Sequence, residues 1–241
     1  FMDNLKVVGS NESVAVLKEY IGDKESYDPA ISTLVRIGSE DASRALMNAL
    51  PNQPATTQVR LIKALGELNY QPALASITAF GSSENALLKK QALWTIALLA
   101  DASSYQVLLQ QVKNVGFKND PTEATTALVE YLHQMTSKGN SVLVKEISKA
   151  VMDNTTDASQ QHFRLAALKA LAHVDPQGSV SMLIKERSRY DAEYQKEVLK
   201  IAVSSAGSPA ALTLWQKEYK KSTGSAPVSY THLTLPTNRE V

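Results

Sequence analysis

One two-helix unit recurs along nearly the whole chain, and it limits the possible folds more than any other feature of the sequence. Its clearest copy runs QPALASITAFG (71–81), SSEN (82–85) and ALLKKQALWTIALLA (86–100): a short apolar helix, a polar turn and a longer helix. Neither helix can bury its apolar side within the unit, whereas stacked copies bury a continuous core. The expected fold is all-α, an α-α superhelix of about six helix pairs plus terminal half-units.

The ends of the longer helices set the register. LKVVG (5–9), LVRIG (34–38) and IKALG (62–66) are variants of one another, and IALLA (96–100) and ALKALA (167–172) take the same place further on. A small residue at each end is expected to let the chain turn sharply. Gly9 to Gly38 is 29 residues, Gly38 to Gly66 is 28, Gly66 to Ala100 is 34, and Ala100 to Ala172 is 72, or two units of 36. The pairs drawn from this register are 13–22 with 28–38, 42–50 with 56–68, and 71–80 with 84–100. They continue as 103–115 with 121–137, 141–153 with 158–173, and 176–189 with 191–205, and a last helix, 208–221, stands without a partner. Asp28-Pro29, Asp120-Pro121, Asp175-Pro176 and Ser208-Pro209 each place a capping side chain before a proline suited to the first helical position. Glu123, three residues after Asp120, adds the pattern of a capping box.

Composition excludes several classes. There is no cysteine, so disulfides, thiolate nucleophiles and Cys-based metal sites are ruled out. A net charge of +1 argues against a strong sequence-independent hold on nucleic acid. No apolar run reaches the ~18 residues that suggest a membrane-spanning helix.

At TQVRLIKALGELNYQPAL (57–74) the chain resembles a bacterial HEAT repeat, an armadillo-like α-solenoid unit, of the subtype also found in phycobilisome-lyase proteins. That pattern has Val-Arg opening the second helix, Ala-Leu-Gly closing it and a Pro-Ala-Leu-like start to the next unit. The matching residues here are Val59-Arg60, Ala64-Leu65-Gly66 and Pro72-Ala73-Leu74, and RLAALKAL (164–171) repeats the middle of the pattern. The units at 121–137 and 191–205 lack the Val-Arg opening. The spaced Trp, Leu-Gly and Tyr pattern of TPR arrays is not met. A narrower resemblance lies in VGFKNDPTEAT (115–125), which is similar to HEAT arrays of large exported bacterial proteins that carry a domain related to 3-keto-disaccharide hydrolases. This second resemblance implies an envelope or periplasmic protein that handles glycans; without it a cytoplasmic protein is expected.

After Gly224 the composition changes, and VSYTHLTLPT (228–237) resembles the translation of an adapter sequence from library preparation. The expected organisation is a helical array over 1–224, a fragment open at both ends, followed by a non-native or disordered tail over 225–241.

No arrangement of reactive groups stands out, and no catalytic residue, metal ligand or cofactor site is expected. His133, His162 and His173 are the only histidines outside the tail. Eleven residues of helix separate the last two, about 16 Å of rise, too far to share a metal. Arg60, Lys63, Lys89, Lys90, Arg164 and Lys169 fall on second helices, which line the concave face of HEAT arrays, and they form the candidate binding stripe. Glu67, Glu84, Glu123, Glu130 and Glu197 share those helices, so a mixed, solvated face with pairs between units is the preferred reading. Trp94, at helical spacing from Leu87, Leu88, Gln91 and Leu98, reads as core. Trp215, on the partnerless last helix, reads as exposed.

These features lead to a non-catalytic scaffold, not an enzyme, whose partner is a protein or a neighbouring domain of the same chain, with neither nucleic acid nor a membrane span involved. The alternatives from the resemblances are an accessory region of an exported glycan-processing enzyme, or a HEAT-fold enzyme such as a lyase or a DNA glycosylase.

Overall fold

A computed structural model describes residues 10–207 and 209–222. Among these residues every regular element is helical and no strand forms. They fall into two compact units that divide between Gln134 and Met135, and in each unit helix pairs stack in the manner of an α-α superhelix.

In the first unit the helices are α1 (Val14–Leu17), α2 (Tyr27–Ile37), α3 (Glu40–Ala49), α4 (Ala55–Glu67), α5 (Leu74–Thr78), α6 (Ala86–Leu99) and α7 (Tyr105–Asn114). The division falls within α8 (Ala124–Ser137). Short 3-10 turns extend several first helices, as at Gln71–Ala73 before α5 and Ala102–Ser104 before α7. Packing follows chain order: α2 lies against α1, α3 and α4, and α4 lies against α2, α3 and α6. The second helices α2, α4 and α6 therefore form one row, its core filled by Ile31, Leu34, Leu61, Leu65, Leu93 and Ile96.

Polar bonds repeat along this unit with the spacing of the repeat itself. Asn11 donates to Asp41 at 2.7 Å, the Tyr70 hydroxyl to Glu40 at 2.9 Å, Gln71 to the Leu99 carbonyl at 2.8 Å, and the Tyr131 hydroxyl to the Asp101 carbonyl at 2.8 Å. Each spans 28 to 30 residues, one unit of the array. Tyr131 is fully buried, and burial above all, with the Asp101 charge, pushes its hydroxyl up to about 12.

The second unit contains α9 (Ser141–Asn154), α10 (Gln161–Val174), α11 (Pro176–Glu186), α12 (Ala192–Ser205) and α13 (Pro209–Ser222). Here α10 packs on α9, α11 and α12, while α11 packs on α10, α12 and α13. Its core includes Val144, Ile147, Phe163, Leu168, Leu183, Tyr194, Val198 and Trp215.

The drawn helix pairs agree with these boundaries to within a few residues, but the reasons for the boundaries are not all those expected. Asp175 does cap α11: its carboxylate accepts from Gly178 N at 2.9 Å, with Pro176 at the first position. Asp120 does not cap a helix starting at Pro121. It holds a tight turn instead, accepting from Thr122 N at 2.8 Å, Thr122 Oγ1 at 2.5 Å and Ala124 N at 3.2 Å. Glu123 has φ 50°, so the capping box expected there does not form and α8 begins at Ala124. A capping box does form at Asp157–Gln160, before α10.

The closing small residues also differ in what they do. Gly38 and Ala100 end α2 and α6 in the left-handed conformation, at φ 64° and 50°. Gly66 is inside α4, and the left-handed residue that follows is Asn69, at φ 48°. Ala172 likewise lies inside α10. Gly9, Ser208 and the segment 225–241 lie outside the described residues.

Candidate functional site

The helical period places one arginine and one glutamate of the second unit among core positions. Arg164 of α10 precedes the buried Ala167 and Leu168 by three and four residues, the spacing that shares a helix face. Glu186, last in α11, follows the buried Leu183 by three. Two opposite charges at facing core positions must pair, because an isolated buried charge is far too costly.

They do. Arg164 Nε donates to Glu186 Oε2 at 2.8 Å and Nη2 to Oε1 at 2.6 Å, with the side chains 7% and 5% exposed. Arg164 Nη1 donates to the carbonyls of Met152 and of Thr155, the latter at 2.9 Å, which ties α10 to the end of α9. The Tyr194 hydroxyl, from α12, donates to Glu186 Oε2 at 2.6 Å. Arg189 Nη1 donates to Oε1 at 3.2 Å, and its guanidinium lies 5.2 Å from the centre of the Tyr190 ring. Tyr190 stands edge-on to Tyr194, their centres 4.8 Å apart, and its hydroxyl donates to the Thr156 carbonyl at 2.9 Å.

The electrostatics follow from these contacts. Burial pushes the Glu186 carboxyl up, but hydrogen bonds from Arg164 and Tyr194 and the charges of Arg164 and Arg189 outweigh it. The net position is below the ordinary carboxylate range. The bond to Glu186 is the main cause holding the Arg164 guanidinium above its ordinary value. Burial, then the bond to Glu186, pushes the Tyr194 hydroxyl up. Four N–H or O–H groups point at the two oxygens of Glu186, so the lone-pair directions of its ionised form are all taken up. The cluster ties α9, α10, α11 and α12 together.

Beside it opens a cleft of about 430 Å³ lined by Met152, Asp153, Arg164, Met182, Lys185, Glu186, Ser188 and Arg189. A wider groove of about 660 Å³ lies along α11, lined by Asp175, Gln177, Val180, Ser181, Ile184 and Lys185 and reaching Leu214 of α13.

The candidate stripe fares unevenly. Arg164 is buried in the network above and does not face solvent. Lys169, on the same helix, is exposed. In the first unit Arg60 bonds Asp28 at 2.5 Å and Ser32 at 2.9 Å, linking α4 to α2. Lys90 pairs with Glu123 at 2.5 Å, and Lys63 lies 3.9 Å from Glu67 within α4. Lys89 is half-buried and makes no ion pair among the described residues. A face of mixed charges with pairs between successive units is thus present in the first unit. His133, His162 and His173 are all exposed. No cluster of metal-ligating side chains occurs among the described residues.

The residues that sequence reasoning missed are Glu186, Arg189, Tyr190 and Tyr194. The signal available was periodicity, since Glu186 and Arg164 each continue an apolar stripe. Two core assignments also change. Trp94 is only half-buried, while the neighbouring Thr95 is fully buried. Trp215 is 4% exposed because α13 packs on α11.

No protein-family model matches the chain, and no curated protein matches it either. Among solved structures it is similar to the complex of CpcE and CpcF of phycocyanin lyase from Nostoc sp. PCC7120. The identity is 11% and the TM-score 0.47, over 86% of this chain and 94% of that one. Against the expectation that the chain is not an enzyme stands this similar structure, which is that of a lyase. An identity of 11% carries no residue's role across. Among the described residues no helix is long and apolar enough to cross a membrane.

Proposed function

We propose that this chain is a helical array whose ligand is a protein, met either as a separate chain or as another part of the same one. The observation that supports this reading is the packing order. Helices touch mainly those one and two places away in sequence, so each unit buries a thin core and presents a long row of second-helix side chains. In the first unit that row carries Lys63 and Lys89 beside the pairs Arg60–Asp28 and Lys90–Glu123. Mixed charges of this kind give orientation and specificity more than affinity.

Selection from a random peptide display library tests the reading and requires no named partner. Enriched peptides should bind the folded chain saturably, and charge reversal at Lys89 or Lys169 should weaken at least one peptide group. Failure to enrich any peptide on protein with a full helical circular dichroism spectrum overturns the proposal.

A further inference from the structure

The cleft beside the Arg164–Glu186 pair has an excess of positive charge set against apolar walls. Of its two carboxylates, Glu186 is neutralised by Arg164, and Asp153 is held by Lys149 at 2.5 Å. Its two other cations are less committed. Lys185 is exposed and makes no ion pair among the described residues. Arg189 spends one N–H on Glu186, and that bond and the Tyr190 ring hold its planar guanidinium in place. Met152 and Met182 supply adaptable apolar surface between the charges. We infer that this cleft binds an acidic peptide segment of a protein partner, with apolar side chains against the methionines and carboxylates on Lys185 and Arg189.

The inference rests on the reading of the chain as a protein-binding array and adds the chemistry of the partner. The charges favour this occupant. A guanidinium already fixed by Glu186 loses little rotamer freedom when a carboxylate takes its remaining N–H groups. A neutral apolar peptide would leave both cations desolvated without a partner, which costs free energy. A nucleic acid would need a broad basic surface, and the chain has a net charge of only +1.

The test uses the whole chain and the peptide acetyl-Leu-Glu-Leu-Glu-Leu-Glu-amide, with its Gln-for-Glu counterpart as control, followed by titration calorimetry and amide chemical shifts. Saturable binding is expected, with shifts centred on residues 182–189 and a preference of about tenfold or more over the control, equivalent to about 1.4 kcal/mol. Lys185→Glu should weaken binding about tenfold, since it replaces attraction by repulsion. Arg189→Gln should weaken it too, whereas Lys113→Glu, on an exposed side chain of α7 in the first unit, should not. Each variant is checked by circular dichroism; if Arg189→Gln unfolds the unit, Lys185→Glu, on an exposed side chain, decides the matter. Equal binding of both peptides, no effect of Lys185→Glu, or preference for an oligouridylate over the acidic peptide would each overturn the inference. Display-selected peptides that bind but ignore Lys185→Glu would leave the binding array standing and remove only this cleft. A library that yields no binder would remove both.

Discussion

Thr95 of α6 occupies the space where a side chain on Gly66 of α4 would stand. A Cβ on Gly66 would come within 3.0 Å of Thr95 Cγ2 and 3.2 Å of its Oγ1. Thr95 is fully buried and cannot readily withdraw. Its hydroxyl donates to the Ile62 carbonyl at 3.3 Å and accepts from Gln91 at 3.1 Å, and its branched Cβ is stiff. Alanine is ordinarily better than glycine inside a helix by about 1 kcal/mol. Overpacking typically costs about 1–3 kcal/mol. Gly66→Ala should therefore destabilise the first unit by about 1 kcal/mol net, as read by the urea midpoint. Adding Thr95→Ser, which removes the clashing methyl, should recover most of the loss. A Gly66→Ala chain more stable than the parent would show that the two helices can separate freely.

Arg164 and Glu186 should show the asymmetry of a buried pair. Arg164→Met leaves the Glu186 carboxylate buried with only Tyr194 and the half-exposed Arg189, and should cost about 3–5 kcal/mol. Arg164→Met together with Glu186→Leu removes both charges and should be far milder than either change alone, although it strands the Tyr194 hydroxyl. Urea denaturation of the single and double variants measures the coupling. Strict additivity would mean that the pair contributes nothing as a pair.

Acid should weaken the second unit more than the first. Glu186 and Asp175 both sit below their ordinary values of 4.5 and 3.8, the latter through the Lys145 ammonium first and the Gly178 amide second. A depressed carboxylate contributes stability that is fully present above its unfolded value and is lost as pH falls through its folded value. The loss therefore begins below about pH 4.5 and continues downward. Glu186→Gln should lower stability near neutrality but flatten the acid limb, because one titrating carboxylate has gone. Thermal unfolding followed from about pH 7 to about pH 3 would show it. An unchanged acid limb would mean that Glu186 does not govern it.

Periodicity and capping make the helix order legible, since apolar stripes and polar turns are local properties of the sequence. What stays hidden depends on which faces meet. Gly66 looks like a helix end, yet α4 runs through it, and its missing side chain admits Thr95. Asp120 carries the same Asp-Pro signature as Asp175, but its carboxylate finds Thr122 and Ala124 while that of Asp175 finds Gly178. Arg164 looks like a surface cation when residue type is weighed above its place in the stripe. Glu186 is passed over for the same reason, and with it the contacts of Tyr194 and Arg189.

The two tryptophans give a final, ordered pair of outcomes. Emptying an aromatic core site costs about 3–5 kcal/mol, so Trp215→Ala should loosen α13 by an amount in that range. Trp94 is less deeply buried than Trp215, and Trp94→Ala should cost less than Trp215→Ala. Trp215 also holds a buried indole N–H with no acceptor among the described residues. Trp215→Phe removes that unpaired donor while keeping most of the apolar area, so the two effects should cancel to within about 1 kcal/mol. Indole fluorescence separates the two sites: with Trp94→Phe as background the remaining emission should be blue-shifted and poorly quenched by acrylamide, and with Trp215→Phe it should be red-shifted and readily quenched. The opposite order would place Trp215 at the surface and undo the packing of α13 on α11.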